Sequence, residues 1–445
     1  MLKARMSGTG KPMATAGSTV PRAVLARTVV ARTAAVRTAV TAAAVALTAT
    51  TTVIALPATP ARADDGQCTF PSKNYSGRPW ALQRVNLDEL WAVSTGKNVK
   101  VAVIDTGVDV KNPQLSKAVD VAEGENLLHD KNSKGEKIDR GNNSGTTDTV
   151  GHGTRVAGII AARKASGTGF VGLAPDAMII PIKQNDADGD GTTDTLAQAI
   201  TDAVRKGADV INISQDTANA VAGGQTLLDA VKNALDHKVV VVASAGNDGL
   251  GGNVKVTYPA SYQGVLAVAA SDRNNERAPF SQSGDFVGVA APGVDMISTV
   301  PGGGHCSDNG TSFSAPYVAG VAALLKSKYP NWSAQQVVAQ IEQTAERSIP
   351  GHDRLVGWGV VDPVKALTDV DPEHPVASPS PEDGVVRGEA PSVTPLHIGE
   401  TAQERDTRMS TYVVVGSLVV VAALSGTAVA VRDARRRRGG PLKTG

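Results

Sequence analysis

Aromatic side chains are scarce in this chain, 3% of 445 residues. With so few rings, a core has to come from small aliphatic side chains packed closely, as where helices lie on a parallel sheet. An excess of one charge is missing too. Lys and Arg number 44 against 43 Asp and Glu, so no basic field points to nucleic acid. Cysteine is almost absent. Only Cys68 and Cys306 occur, which excludes a disulfide-dense scaffold. The two are a disulfide candidate: one bridge would staple an N-terminal arm beside the segment leading to Ser312. Two separate thiols are the alternative, and both stand open at this level.

Acidic residues are absent from positions 1–63. Lys and Arg recur there as far as Arg37, residues 38–58 are uncharged and mildly apolar, and ATPARA ends in Ala-x-Ala at Ala61 and Ala63. This pattern predicts a secretory signal over 1–63, cleaved after Ala63, with a retained signal anchor as the weaker reading. No Arg-Arg pair supports a twin-arginine route. A short N-terminal arm follows at 64–78. At the far end, Thr411 to Val431 has no charge and RDARRRR comes next. That length suits one transmembrane helix, 411–431, and the arginines predict a cytoplasmic basic tail, 432–445. Before it, 369–410 is rich in Pro, Ser and Glu without a period, which predicts a disordered linker.

Between these ends, over 79–368, short apolar runs alternate with helical periods. Strands are predicted at 99–105, 178–184, 209–214, 239–246 and 264–271. Helices are predicted at 152–164, 195–207, 227–238, 311–329 and 333–346. Such alternation implies an α/β domain with a mainly parallel sheet covered on both faces. Ligands of such sheets gather at the carboxyl ends of the strands.

Four polar residues fall at those ends. Asp105 closes a strand in VIDTGV, His152 opens a helix in VGHGTRVAGIIAA, Asn247 follows a strand in ASAGNDG, and Ser312 opens a helix in GTSFSAP. Each has an ordinary role by itself: a turn aspartate, a helix-start histidine, a turn asparagine, a helix N-cap. Together they offer a nucleophile, a base, a group to orient the base, and an amide donor for an oxyanion. Asp-Thr-Gly also occurs in aspartic proteases, but those need two such carboxylates and only one is present.

The segments VAVIDTGV, GHGTRVAGIIAA, GLAP, ASAGNDG and GTSFSAPYVAG resemble the subtilisin-like serine proteases, the subtilases, over Pro79 to Leu367. The resemblance implies the three-layer subtilase fold and peptide-bond hydrolysis. By motif position it assigns Asp105, His152 and Ser312 to the triad and Asn247 to the oxyanion hole. It places Ser214, Gln215, Asp216, Ala245 and Gly246 along the substrate cleft. PYVAGVAALL, the closing VGWGVVDPVKAL and the membrane helix with its basic tail are most similar to the mycosins, membrane-anchored subtilases of actinobacterial type VII secretion systems. The expected partners are therefore protein or peptide substrates, type VII secretion machinery and a membrane. The catalytic domain is expected to lie outside the cell.

The chain also departs from the family. Little sequence lies between Ala63 and the strand of Asp105, so a large folding propeptide is not expected. NISQDT stands where many relatives have Ser-Leu-Gly, which adds charge to the cleft at Asp216. Arg155 and Tyr317 replace common histidines at positions that look non-catalytic. Asp186, Asp188 and Asp190 before Gly191 resemble a calcium loop, but Ala197 stands where the bidentate glutamate would be, so no metal is expected. No cofactor is called for. The polar run 124–148 reads as a surface insertion, a disordered loop with a cleft-side lid as the weaker reading. A second reading of function is a structural component of a secretion complex, with proteolysis secondary.

Overall fold

The structure, a computed structural model, describes residues 68–131, 135–137, 139–186, 191–214, 224–252, 256–381 and 402–438. The predicted signal segment, Gln215, Asp216, Asp188, Asp190, most of the linker and the end of the basic tail lie outside the described residues.

Two short helices, α1 (Trp80–Gln83) and α2 (Leu87–Val93), lead into the sheet. Its strands are β1 (Lys100–Asp105), β2 (Glu125–Asn126), β3 (Met178–Lys183), β4 (Val210–Ile213), β5 (Val240–Ser244), β6 (Leu266–Ser271) and β7 (Val287–Pro292). They pair in parallel in the order β2-β3-β1-β4-β5-β6-β7. A hairpin, β8 (Met296–Thr299) with β9 (His305–Asp308), stands apart. The remaining helices are α3 (His152–Ala161), α4 (Thr193–Arg205), α5 (Gln225–Asp236), α6 (Thr311–Lys328), α7 (Ala334–Gln343), α8 (Pro363–Thr368) and α9 (Ala402–Arg438).

The three layers follow from the strand period of two. Val101 and Val103 of β1 pack with Val156, Ile160, Val318 and Val321 of α3 and α6. Ala102 and Ile104, pointing the other way, pack with Ile200 and Val231 of α4 and α5. Both faces are covered, so the strands carry unbroken aliphatic runs. Helix α4 has an apolar stripe, Leu196, Ala199, Ile200 and Ala203, and a polar outer face. Its start is set by a capping box in which Thr192 and Thr195 satisfy each other's backbone N–H. Helix α6 is apolar nearly all round because it is buried against β4 to β7. Each fully buried Val or Leu there contributes about 1.5–3 kcal/mol.

Strand order reverses at β1, with β3 on one side and β4 on the other. The crevice at such a reversal is where open α/β sheets bind ligands, and Asp105 is the last residue of β1.

Three details differ from the sequence-based expectations. Strand β7 and the hairpin were not expected, because VGVAAP is short and Gly- and Ala-rich and the hairpin strands are polar. The run 124–148 is more than a surface insertion: Glu125–Asn126 pairs with β3 at the sheet edge, and Asn126, Thr146 and Asp148 are buried. The linker is shorter than composition suggests. Ser380 donates its N–H to Gln343 Oε1 at 2.7 Å, and residues 402–410 are already helical. Helix α9 has an apolar window of mean hydropathy 2.3 with none of it buried, and is long and apolar enough to cross a membrane.

Candidate active site

Helix α3 begins at Gly151, whose φ of 82° lets the chain turn sharply into His152. Glycine offers no side chain to cap the first turn. Asp148 does so instead. Its Oδ1 accepts from the N–H of Gly151 at 2.7 Å and of Val150 at 3.1 Å. Its Oδ2 accepts from the N–H and hydroxyl of Thr154 at 2.9 and 2.7 Å. A carboxylate here satisfies orphan donors and faces the positive end of the helix. Burial pushes the Asp148 pKa up, against the lowering effect of its bonds to Thr154 and Gly151.

The same carboxylate fixes the neighbouring strand end. Thr106 donates its hydroxyl to Asp148 Oδ1 at 2.9 Å and accepts the N–H of Gly153 at 2.9 Å. The N–H of Thr106 then donates to Asp105 Oδ1 at 2.7 Å. Gly153 is required for this close seating: a Cβ there would lie 2.1 Å from the carbonyl oxygen of Gly107.

These contacts bring Asp105 Oδ1 within 2.7 Å of His152 Nδ1. Asp105 is 1% exposed, while 24% of the His152 side chain remains exposed. Burial by itself pushes the imidazole pKa down. The charge and hydrogen bond of Asp105 outweigh it, so the pKa lies above the ordinary 6.5; Arg155 opposes this rise and Asp148 adds to it. Beside Asp105 in register stands Lys183, fully buried. Desolvation pushes the Lys183 pKa down, against the carboxylates of Asp148, Asp186 and Asp139.

Ser312 is the second residue of α6 and half-buried. Pro316, four residues on, has no N–H to give to the Ser312 carbonyl. Phe313, next to Ser312, lies against His152 with ring centroids 5.4 Å apart. The site is therefore assembled from the ends of β1, α3 and α6. Among the described residues no hydrogen bond joins His152 Nε2 to Ser312 Oγ.

Asn247 follows β5 and is exposed. Its side-chain oxygen accepts from the N–H of Thr311 at 2.9 Å and from the Thr311 hydroxyl at 3.0 Å. With the oxygen held, the amide NH2 lies beside Gly310 at the start of α6. Gly246 donates its N–H to the same Thr311 hydroxyl at 3.3 Å. The Ala245 carbonyl accepts from Thr257 Oγ1 at 2.8 Å, and Ser214 Oγ accepts from Asn212 at 2.7 Å. Ser214, Ala245 and Gly246 are buried, so they form wall rather than open surface. Gln215 and Asp216 lie outside the described residues.

Cys68 and Cys306 are joined by a disulfide across 238 residues. The arm beyond Cys68 pairs with the hairpin: Ser72 donates to the Gly303 carbonyl at 3.0 Å and His305 to the Lys73 carbonyl at 3.1 Å. Among the described residues no group of three or more His, Cys, Asp or Glu is placed to hold a metal. Sequence reasoning passed over Asp148 and Thr106. Asp148 sits in a polar run without a period, and its one signal is an aspartate shortly before an apolar helix.

The model of the subtilase family matches residues 96–359. Subtilisin Savinase of Lederbergia lenta is 39% identical over 284 residues, 64% of this chain and 96% of that one. Subtilisin E of Bacillus subtilis (strain 168) is 38% identical over 285 residues, 64% and 69% of the two chains. Among solved structures, the MycP3 protease from the type VII (ESX-3) secretion system is 34% identical, with a TM-score of 0.58 over 67% of this chain and 90% of that one. MycP1 from Mycobacterium smegmatis is 31% identical, with a TM-score of 0.58 over 71% and 91%. The chain belongs to the subtilase family and is a subtilisin-like serine endopeptidase. Within that family its structural neighbours include the mycosins.

Proposed function

We propose that the chain is an exported, membrane-tethered endopeptidase that works through an acyl-enzyme formed on Ser312. The observation that carries this reading is the 2.7 Å contact of Asp105 with His152 Nδ1. It fixes the tautomer that leaves Nε2 as the base. Ser312 Oγ attacks the scissile carbonyl carbon, and its proton passes to His152 Nε2. The carbonyl electron pair moves to oxygen, and the oxyanion is met by the amide of Asn247 and the N–H of Ser312. The C–N bond then breaks, with the imidazolium proton going to the departing amine. Water repeats the steps in reverse to release the acid and free Ser312. The substrate is a protein or peptide held along a wall of Ser214, Ala245 and Gly246.

The location rests on sequence and on α9. A signal over 1–63 exports the domain, the apolar helix holds it to the membrane, and the arginines that follow stay in the cytoplasm. The likeness to MycP1 and MycP3 supports work at a type VII secretion apparatus. An alkyl fluorophosphonate should modify Ser312, and Ser312→Ala should abolish both labelling and peptide hydrolysis with the fold intact. A Ser312→Ala chain that hydrolyses peptides at the parent rate would remove the proposal.

A further inference from the structure

Arg155 lies one turn along α3 from His152 and is 12% exposed. Its guanidinium binds in three directions. Nε donates to the Gly151 carbonyl at 3.1 Å, within its own helix. Nη1 donates to Asp308 Oδ2 at the end of β9, four residues before Ser312. Its Cζ lies 5.4 Å from the centroid of the Phe313 ring, the ring that also meets His152 at 5.4 Å. Asp308 is held in turn, its Oδ1 accepting the Asn309 N–H at 2.8 Å. The Arg155 carbonyl accepts from Ser298 Oγ of β8 at 2.6 Å.

An exposed ion pair with this geometry would contribute little. This one is mostly covered on the arginine side and spans 153 residues of sequence. It joins the helix that carries His152 to the strand that delivers Ser312. The Phe313 ring contacts both the guanidinium and the imidazole. We infer that Arg155, clamped by Asp308 and stacked on Phe313, is a positioning residue that sets α3 against the start of α6 and so aligns His152 with Ser312. The inference rests on the acyl-enzyme reading above.

The electrostatics make the two partners of the pair distinguishable. The charged groups facing His152 are Asp105 from β1, Asp148 from the loop before α3, and Arg155 from α3 itself. Asp308 from β9 faces Arg155, and Lys183 from β3 faces Asp148. Removing the guanidinium removes a charge that opposes imidazolium. Removing the Asp308 carboxylate leaves that guanidinium unbalanced beside the imidazole. A pair that only held two segments together would give the same response from either side.

The test measures the inactivation rate of the full-length chain by an alkyl fluorophosphonate across pH, for Arg155→Gln, Asp308→Asn, Arg155→Lys and the exchange Arg155→Asp with Asp308→Arg. Both neutral variants should lose roughly 10- to 100-fold in plateau rate, the scale of a small misplacement of reacting groups. The acid limb should move to higher pH in Arg155→Gln and to lower pH in Asp308→Asn. Arg155→Lys should lose less than Arg155→Gln, because the charge survives and only the fork is lost. The exchange should recover part of the plateau. An unchanged plateau in both neutral variants overturns the inference, and so does a limb that moves the same way in both. Variants that fail to fold are replaced by Arg155→Lys and Asp308→Glu, read by the same criteria. Labelling of Ser312→Ala at the parent rate would instead defeat the nucleophile assignment, a separate result.

Discussion

The side-chain oxygen of Asn247 accepts two hydrogen bonds from Thr311, one from its N–H and one from its hydroxyl. The amide can therefore face only one way. A donor fixed before the reaction stabilises the developing oxyanion without reorganising. Asn247→Leu should lower kcat by about 10²–10³ with little change in KM, a magnitude carried over from a subtilisin. Thr311→Val keeps the N–H bond and loses the hydroxyl bond, so its loss should be smaller. Steady-state hydrolysis of a peptide anilide reads both. A Thr311→Val loss as large as that of Asn247→Leu would show that the hydroxyl does more than hold the amide.

Asp105 keeps the His152 pKa above 6.5. In the proposed mechanism the base is neutral imidazole, so kcat/KM should fall as pH drops through a value above 6.5. Asp105→Asn removes the charge that raises it, and the acid limb should move to lower pH while the plateau falls by about 10⁴. The linkage to stability runs the other way. A raised histidine pKa stabilises the fold fully below pH 6.5, and that contribution is lost as pH rises through the folded value. Kinetic and unfolding profiles over the same pH range check both signs.

Asp148→Asn puts an NH2 where donors already point. One or more of the N–H groups of Gly151, Val150 and Thr154 loses its acceptor, at about 1–3 kcal/mol. Urea unfolding should show that loss. Through Thr106 the strand end also shifts, so kcat should fall as well. Thr106→Ser keeps the hydroxyl and should retain more activity than Thr106→Val.

Cys68→Ser with Cys306→Ser opens a closed loop of 238 residues. Stability should drop by about 2–4 kcal/mol, and amides of Ser72 and Tyr75 should exchange faster with solvent. Fluorophosphonate labelling of Ser312 should persist, since the arm supplies no group to the reaction. Loss of labelling in a folded double variant would give the arm a direct catalytic part.

His305 is buried, and desolvation pushes its pKa down to about 4. The neutral ring accepts the Tyr75 N–H on Nδ1 at 3.1 Å and donates from Nε2 to Gln114 Oε1 at 2.7 Å. The unfolded chain takes up a proton near pH 6.5 that the folded chain refuses, so stability should fall as pH drops from 6.5 towards 4. His305→Gln should flatten that slope. Denaturation midpoints at neutral and acid pH, parent against variant, measure it.

The five predicted strands and the five predicted helices were legible because burial on both faces of a parallel sheet leaves a local trace, unbroken β-branched runs spaced by helical periods. Asp105, His152, Asn247 and Ser312 drew notice because they stand beside those traces, at strand ends and helix starts. Strand β7 left no such trace, since VGVAAP is short and rich in Gly and Ala. Arg155, set against the histidine common there, reads from sequence only as a position that looks non-catalytic, and its contacts with Asp308 and Phe313 appear only in the structure.

Local order and short motifs therefore determined the layering and the family, and singled out the four polar side chains proposed to act. Tertiary packing decided what holds them: Asp148 capping the helix of His152, Thr311 turning Asn247, Cys68 meeting Cys306, and Arg155 reaching Asp308. The physical reason is range. Propensity and hydrophobic period act over a few residues, whereas each of these contacts involving distant partners exists only once the sheet has brought separate segments to one rim.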